Sequence, residues 1–62
     1  MTKYTVAVNH CEYCDGLFDT YQLAYYYAVN LIKQDFEEVS DWSDDEAYDY
    51  SDGYYSVVKI VI

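Results

Sequence analysis

The chain has 62 residues, and its 12 acidic residues against 3 Lys give a net charge of −9 at neutral pH. This balance excludes direct binding to nucleic acid, which needs a basic surface to displace the counterions of phosphates. The composition is 53% hydrophobic and 21% aromatic, which argues against disorder, and no apolar run approaches the roughly 20 residues that span a membrane. We expect one small domain over residues 1–62 and no enzymatic activity.

The N-terminal half predicts a strand followed by a capped helix. Apolar and polar residues alternate over Thr2–Val8 as in a half-buried strand. Asp19 is predicted to cap a helix over Thr20–Gln34, because Gln22 follows it at the spacing of a capping box. The apolar stripe of this helix consists of Tyr21, Ala24, Tyr25, Ala28, Leu31 and Ile32.

Two further strands are predicted in the C-terminal half. Tyr54–Ile62 is rich in β-branched side chains, and because both of its faces are apolar we expect it to be the central strand of the sheet. Phe36–Trp42 is predicted to be a second strand, antiparallel to the last. With Thr2–Val8, these segments predict a three-stranded sheet.

The residues between these two strands allow two interpretations. Ser43 and Glu46 match a capping box, which predicts a short helix over Asp44–Ser51 with Gly53 closing it. The alternative is a tight hairpin turn at Asp52–Gly53. Both give an α+β domain of β-α-β-β layout, in which a three-stranded, mainly antiparallel sheet packs on one helix.

The acidic residues are concentrated in one segment, residues 35–52. Nine of the twelve lie there, no basic residue does, and aromatic residues are interspersed among them. A purely solvating segment would lack these rings, so the mixture indicates an ordered acidic surface with aromatic anchors. The residues expected to contact a partner are Asp41, Trp42, Asp44, Asp45, Glu46, Tyr48, Asp49, Tyr50 and Asp52.

The spacing of these carboxylates suggests mimicry of DNA. Alternate residues of a strand lie about 6–7 Å apart, and residues one helical turn apart are separated by about 5–6 Å. Either spacing is close to that between neighbouring phosphates of a DNA strand. On a helix, one face would carry Asp41, Asp45, Asp49 and Asp52. We therefore expect the segment to enter a basic groove built for nucleic acid; a solvated face without a partner is the alternative.

A cysteine motif supports a different hypothesis. His10, Cys11 and Cys14 form H-C-x-x-C, which is half of a structural zinc site. No second C-x-x-C is present, so a zinc ion would need Asp15 or a second chain to complete its ligands. We expect no cofactor, with two reduced thiols or a local disulfide as the states of the cysteines. A small zinc-stabilised interaction module is the alternative function.

Three consecutive tyrosines predict an exposed aromatic surface. Successive helical residues are 100° apart, so Tyr25 fits the buried stripe while Tyr26 or Tyr27 must be partly exposed. We expect a partner or a second copy of the chain to cover that patch, and uncovered sheet edges offer another surface for a homodimer.

The chain resembles the small acidic inhibitors that bacteriophages encode against host enzymes: anti-CRISPR proteins, anti-restriction proteins and uracil-DNA glycosylase inhibitors. The features that carry this resemblance are the YTVAV strand, the capped helix from Asp19 and the run DFEEVSDWSDDEAYDYSD. The resemblance implies a non-enzymatic inhibitor, most specifically an anti-CRISPR, acting in the host cytoplasm. Its partner would be a nucleic-acid-binding host protein with a basic groove, and neither nucleic acid nor a membrane. A DNA-repair or restriction enzyme is the alternative target.

Overall fold

A computed structural model describes residues 1–9 and 16–62, together with the backbone of residues 12–13. The chain is α+β, as predicted from its sequence. Its elements in chain order are β1 (Thr2–Val8), β2 (Glu12–Tyr13), α1 (Tyr21–Asp35), a 3-10 helix (Glu37–Val39), α2 (Asp44–Tyr50) and β3 (Tyr55–Val61).

The sheet is built around β1 rather than around the C-terminal strand. β1 and β3 pair antiparallel along their whole length, with Thr2 opposite Val61. The other edge of β1 pairs with the two-residue strand β2, and Phe18 exchanges two backbone hydrogen bonds with Tyr4 at 2.7 and 2.9 Å. The prediction that Tyr54–Ile62 is the central strand is therefore wrong.

The burial of β1 gives the physical reason for its central position. Thr5, Val6 and Ala7 are consecutive and all buried, so both faces of this strand are covered. The polar member of this run is satisfied, because the Thr5 hydroxyl donates to the carbonyl oxygen of Gly16 at 2.9 Å. In β3 Tyr55 is buried, whereas Val57, Val58 and Ile60 are only partly buried although they are apolar.

The predicted strand over Phe36–Trp42 is a run of tight turns instead. Backbone N–H groups donate three residues back, from Val39 to Phe36 at 3.0 Å and from Trp42 to Val39 at 3.0 Å. The apolar residues Phe36, Val39 and Trp42 recur every three positions, which is the period of a 3-10 helix and not the period of two of a strand. Val39 is thereby fully buried, and the predicted three-stranded sheet that included this segment is not formed.

Helix α1 agrees with the prediction within one residue at each end, but its cap differs. Thr20, not Asp19, is the N-cap: its backbone is extended and its side-chain oxygen accepts from the Leu23 N–H at 3.2 Å. The Asp19 carboxylate instead forms an ion pair with the Lys3 ammonium, which lowers the pKa of Asp19. Asp19 is therefore engaged by β1 rather than by the first turn of the helix.

Helix α2 confirms the short-helix interpretation and excludes the hairpin. Ser43 is its N-cap and accepts from the Glu46 N–H at 3.4 Å, while its hydroxyl donates to the Glu46 carboxylate at 2.8 Å. After the helix, Asp52 and Gly53 both have positive φ angles, of 51° and 84°, and this turn leads the chain into β3. The left-handed conformation suits glycine and is tolerated by Asp.

The core lies between the sheet and the two helices. Small residues line the helices where they pack closely, namely Ala24 and Ala28 of α1 and Ala47 of α2, all fully buried. Among the described residues, Ile32, Val6 and Val39 are the largest fully buried side chains. Tyr21, the first residue of the predicted stripe, is 49% exposed and lies at the border of the core.

Candidate protein-interaction surface

Helix α2 presents one face to the core and the opposite face to solvent. Ala47 is fully buried, and the neighbouring Tyr48 accepts a hydrogen bond on its hydroxyl from the Val57 N–H at 3.0 Å. Asp44 forms an ion pair with Lys33 of α1 at 3.2 Å. These contacts fix the rotation of the helix, and they leave Asp45, Glu46, Asp49 and Tyr50 exposed.

All nine acidic side chains of residues 35–52 are exposed. They are Asp35, Glu37, Glu38, Asp41, Asp44, Asp45, Glu46, Asp49 and Asp52. Within residues 1–9 and 16–62 only two ion pairs form, Lys3–Asp19 and Lys33–Asp44, so a single member of the nine is neutralised by a cation. Eight of the nine carboxylates therefore have no cationic partner among the described residues, and the segment carries a strong negative charge on the surface.

Several of these carboxylates accept hydrogen bonds from tyrosines. The Tyr50 hydroxyl donates to Glu38 at 3.0 Å, and this hydrogen bond raises the pKa of the Tyr50 phenol above its ordinary value. The Tyr25 hydroxyl donates to Asp45 in the same way. These bonds orient the carboxylates without removing their charge, which makes the acidic surface more ordered than a solvated tail.

The acidic residues do not form one continuous helical row. Helix α2 begins at Asp44 and ends at Tyr50, so of the predicted row only Asp45 and Asp49 are one turn apart on the same helix. Asp41 and Asp52 lie in the turns that precede and follow it. The carboxylates thus cover a curved surface around α2 instead of a single stripe.

An aromatic cluster interrupts this acidic surface. It consists of Phe36, Trp42, Tyr50 and Tyr54, whose rings contact one another edge to face with centroids 5.5–6.1 Å apart. Trp42 is 41% and Tyr50 42% exposed, although each packs on another ring. Such half-exposed, prepositioned rings can contribute apolar contact area to an interface at little cost in side-chain entropy.

An open pocket lies between α1 and α2. It is lined by Tyr21, Gln22, Tyr25 and Asp45, has a volume of about 380 Å³, and is called the tyrosine pocket below. The rings of Tyr21 and Tyr25 stack with centroids 6.0 Å apart. Partial burial, followed by the hydrogen bond to Asp45, raises the pKa of Tyr25 far above its ordinary value. Sequence reasoning missed this pocket, although the four-residue spacing of Tyr21 and Tyr25 places both on one face of α1.

The predicted contact residues have several different surroundings. Seven of them lie on the exposed surface: Asp41, Trp42, Asp45, Glu46, Asp49, Tyr50 and Asp52. Of these, the side chains of Asp45, Glu46 and Tyr50 also form intramolecular hydrogen bonds. Asp44 is exposed but paired with Lys33, and Tyr48 is only partly exposed because it packs on the Tyr25 ring and bonds to β3.

The cysteine motif lies outside the described residues, since His10, Cys11 and Cys14 fall between residues 9 and 16. In the part of the chain that the structure describes, no three His, Cys, Asp or Glu side chains come close enough together to hold a metal ion.

Tyr26 is 47% exposed, which confirms that one of the consecutive tyrosines projects outward.

Neither α1 nor α2 is long and apolar enough to cross a membrane. Comparison of the chain with protein-family models, with curated proteins and with solved structures finds no match.

Proposed function

We propose that this protein is a non-enzymatic inhibitor that binds the basic, nucleic-acid-binding surface of a host protein and blocks it. The observation that carries this proposal is the exposure of all nine acidic side chains in residues 35–52, of which only Asp44 pairs with a cation among the described residues. Within this proposal the target is a defence protein that handles nucleic acid, as in the anti-CRISPR class. A DNA-repair or restriction enzyme is the alternative target.

Electrostatics supports a basic partner. Concentrated negative charge raises the rate of association with a positive groove and excludes acidic partners, and both effects weaken as salt screens the field. The aromatic cluster adds what charge does not supply, since Trp and Tyr rings at the centre of an interface contribute much of its binding energy. Trp42 and Tyr50 are the rings best placed for this role, being half exposed between acidic residues.

The test is capture of a partner from a host lysate by immobilised protein. In the test variant, Asp41→Asn, Asp49→Asn and Asp52→Asn remove three negative charges from residues whose side chains form no ion pair or hydrogen bond within the described part of the chain. Asn also tolerates the positive φ of residue 52, so the turn into β3 is kept. We expect this variant to lose most of its captured partner.

A matched control removes the same charge elsewhere. Three acidic residues lie outside the acidic segment, and the control variant neutralises them with Glu12→Gln, Asp15→Asn and Asp19→Asn. It has the same net charge as the test variant and leaves residues 35–52 unchanged. The control is expected to capture the partner nearly as well as the parent protein. Equal loss in both variants would show that only net charge matters, and retention by the test variant would exclude the acidic segment from binding.

A further inference from the structure

Two aromatic side chains, Tyr21 and Tyr25, line the tyrosine pocket. Tyr21 and Tyr25 stand one turn apart on α1, and their ring planes are inclined by only 24°. Tyr21 is anchored by an edge contact to Tyr4 of β1 while remaining 49% exposed. The faces of such rings attract cations through their negative quadrupole.

A carboxylate closes one side of the pocket. Oδ1 of Asp45 accepts the hydrogen bond from the Tyr25 hydroxyl, whereas its Oδ2 has no hydrogen-bond partner among the described residues. Gln22 contributes a second acceptor, because its amide nitrogen donates to the Tyr26 hydroxyl at 2.9 Å while no described group donates to its amide oxygen. The pocket thus combines π faces, a negative charge and vacant acceptors.

The chemistry of this lining selects a cation that is planar. Among the described residues no basic side chain lines the pocket, so an anion would meet the Asp45 carboxylate with no cation to offset its charge. An ammonium group is a compact point charge, whereas a guanidinium can stack on a ring with its plane and donate to a carboxylate at its edge. Neither Lys3 nor Lys33 fills the pocket, since both pair with other carboxylates.

We propose that the tyrosine pocket binds the guanidinium group of an arginine side chain, stacked on Tyr21 and hydrogen-bonded to Asp45. This inference deepens the proposed function and rests on it for the source of the arginine, which the basic surface of the partner would present. The pocket then sets where one partner side chain docks, beside the more diffuse attraction of the acidic segment.

The test uses a probe that does not require the partner. N-acetyl-arginine methylamide is titrated into the protein while the ring signals of Tyr21 and Tyr25 are followed by NMR. N-acetyl-citrulline methylamide, which has nearly the same shape and no charge, is titrated in parallel. We expect saturable shifts with the arginine probe and affinity weaker by at least about fivefold for citrulline.

Two pairs of variants locate the binding. Asp45→Asn keeps an acceptor for the Tyr25 hydroxyl but removes the negative charge, so we expect arginine binding to weaken by about fivefold or more. The control Asp49→Asn removes the same charge one turn away and should change the affinity for arginine less than about twofold. Tyr21→Leu removes a π face, with Tyr54→Leu as its control outside the pocket. Equal binding of citrulline, or equal effects of Asp45→Asn and Asp49→Asn, would overturn the inference.

The outcomes separate this inference from the proposed function. Loss of arginine selectivity while the acidic segment still captures its partner would overturn the pocket alone. Capture that survives the neutralisation of Asp41, Asp49 and Asp52 would overturn the proposed function, even where the pocket binds the arginine probe.

Discussion

At the scale of single residues, the phenol of Tyr25 shows how the acidic surface affects its own neighbours. Partial burial and the adjacent Asp45 carboxylate both favour the neutral phenol and raise its pKa. The phenols of Tyr21 and Tyr50 are shifted in the same direction, the former mainly by burial and the latter mainly by its hydrogen bond to Glu38. The protein therefore holds several tyrosine protons more tightly than the unfolded chain does.

This difference predicts a loss of stability in alkaline solution. Tyrosines of the unfolded chain ionise near pH 10, whereas Tyr25 of the folded protein keeps its proton to higher pH. The contribution of Tyr25 to the unfolding free energy is therefore complete below about pH 10 and is lost as the pH rises through the raised pKa. Chemical denaturation from about pH 8 to about pH 12 should show a smaller fall in unfolding free energy for Tyr25→Phe than for the parent.

The control is Tyr26→Phe, whose hydroxyl contacts Gln22 rather than a carboxylate. It is expected to follow the parent across the alkaline range. Parallel curves for the parent and Tyr25→Phe would contradict the interaction between the Tyr25 phenol and Asp45.

A second residue-scale prediction concerns the cap of α1. Thr20→Ala removes the side-chain oxygen that accepts from the Leu23 N–H and should lower the unfolding free energy by about 1 kcal/mol. Asp19→Ala loses only an exposed ion pair with Lys3 and should cost less. Urea denaturation measures both, and a larger loss for Asp19→Ala would restore Asp19 as the cap.

At the scale of elements, the sequence predicts those whose signal is local. The two helices follow from helical spacing and from caps a residue or two away, and β3 follows from its β-branched side chains. The order of the strands was not predictable in this way, because β1 becomes central only through Phe18 and residues 12–13, which pair along its other edge. The tyrosine pocket likewise depends on the packing of α1 against α2.

The strand predicted over Phe36–Trp42 is not formed, because its apolar residues recur every three positions and a 3-10 helix buries Val39. The 3-10 interpretation predicts that Val39→Ala, which empties a fully buried site, lowers the unfolding free energy by about 2 kcal/mol. The control is the exposed neighbour Ser40, because Ser40→Ala should change the unfolding free energy by less than about 0.5 kcal/mol. Denaturation that shows no difference between the two variants would contradict the burial of Val39.

At the scale of the whole molecule, net charge opposes folding. A charge of −9 on 62 residues, with two ion pairs among the described residues, leaves repulsion that the small core must offset. We expect the melting temperature to rise as NaCl increases from about 20 to about 500 mM, because the screening length falls with salt. The variant with Asn at residues 41, 49 and 52 should show a smaller rise, whereas a melting temperature that falls with salt would show that the ion pairs outweigh the repulsion.

Competition with DNA tests whether the acidic segment binds a basic surface of the partner that also binds nucleic acid. A partner captured from host lysate on the immobilised protein is eluted either with a gradient from about 50 to about 500 mM NaCl or with a short DNA duplex at constant ionic strength. We expect the partner to leave at moderate salt and also to be displaced by the duplex. A partner that resists both the salt and the DNA would contradict the proposed function and would indicate an apolar interface remote from any nucleic-acid site.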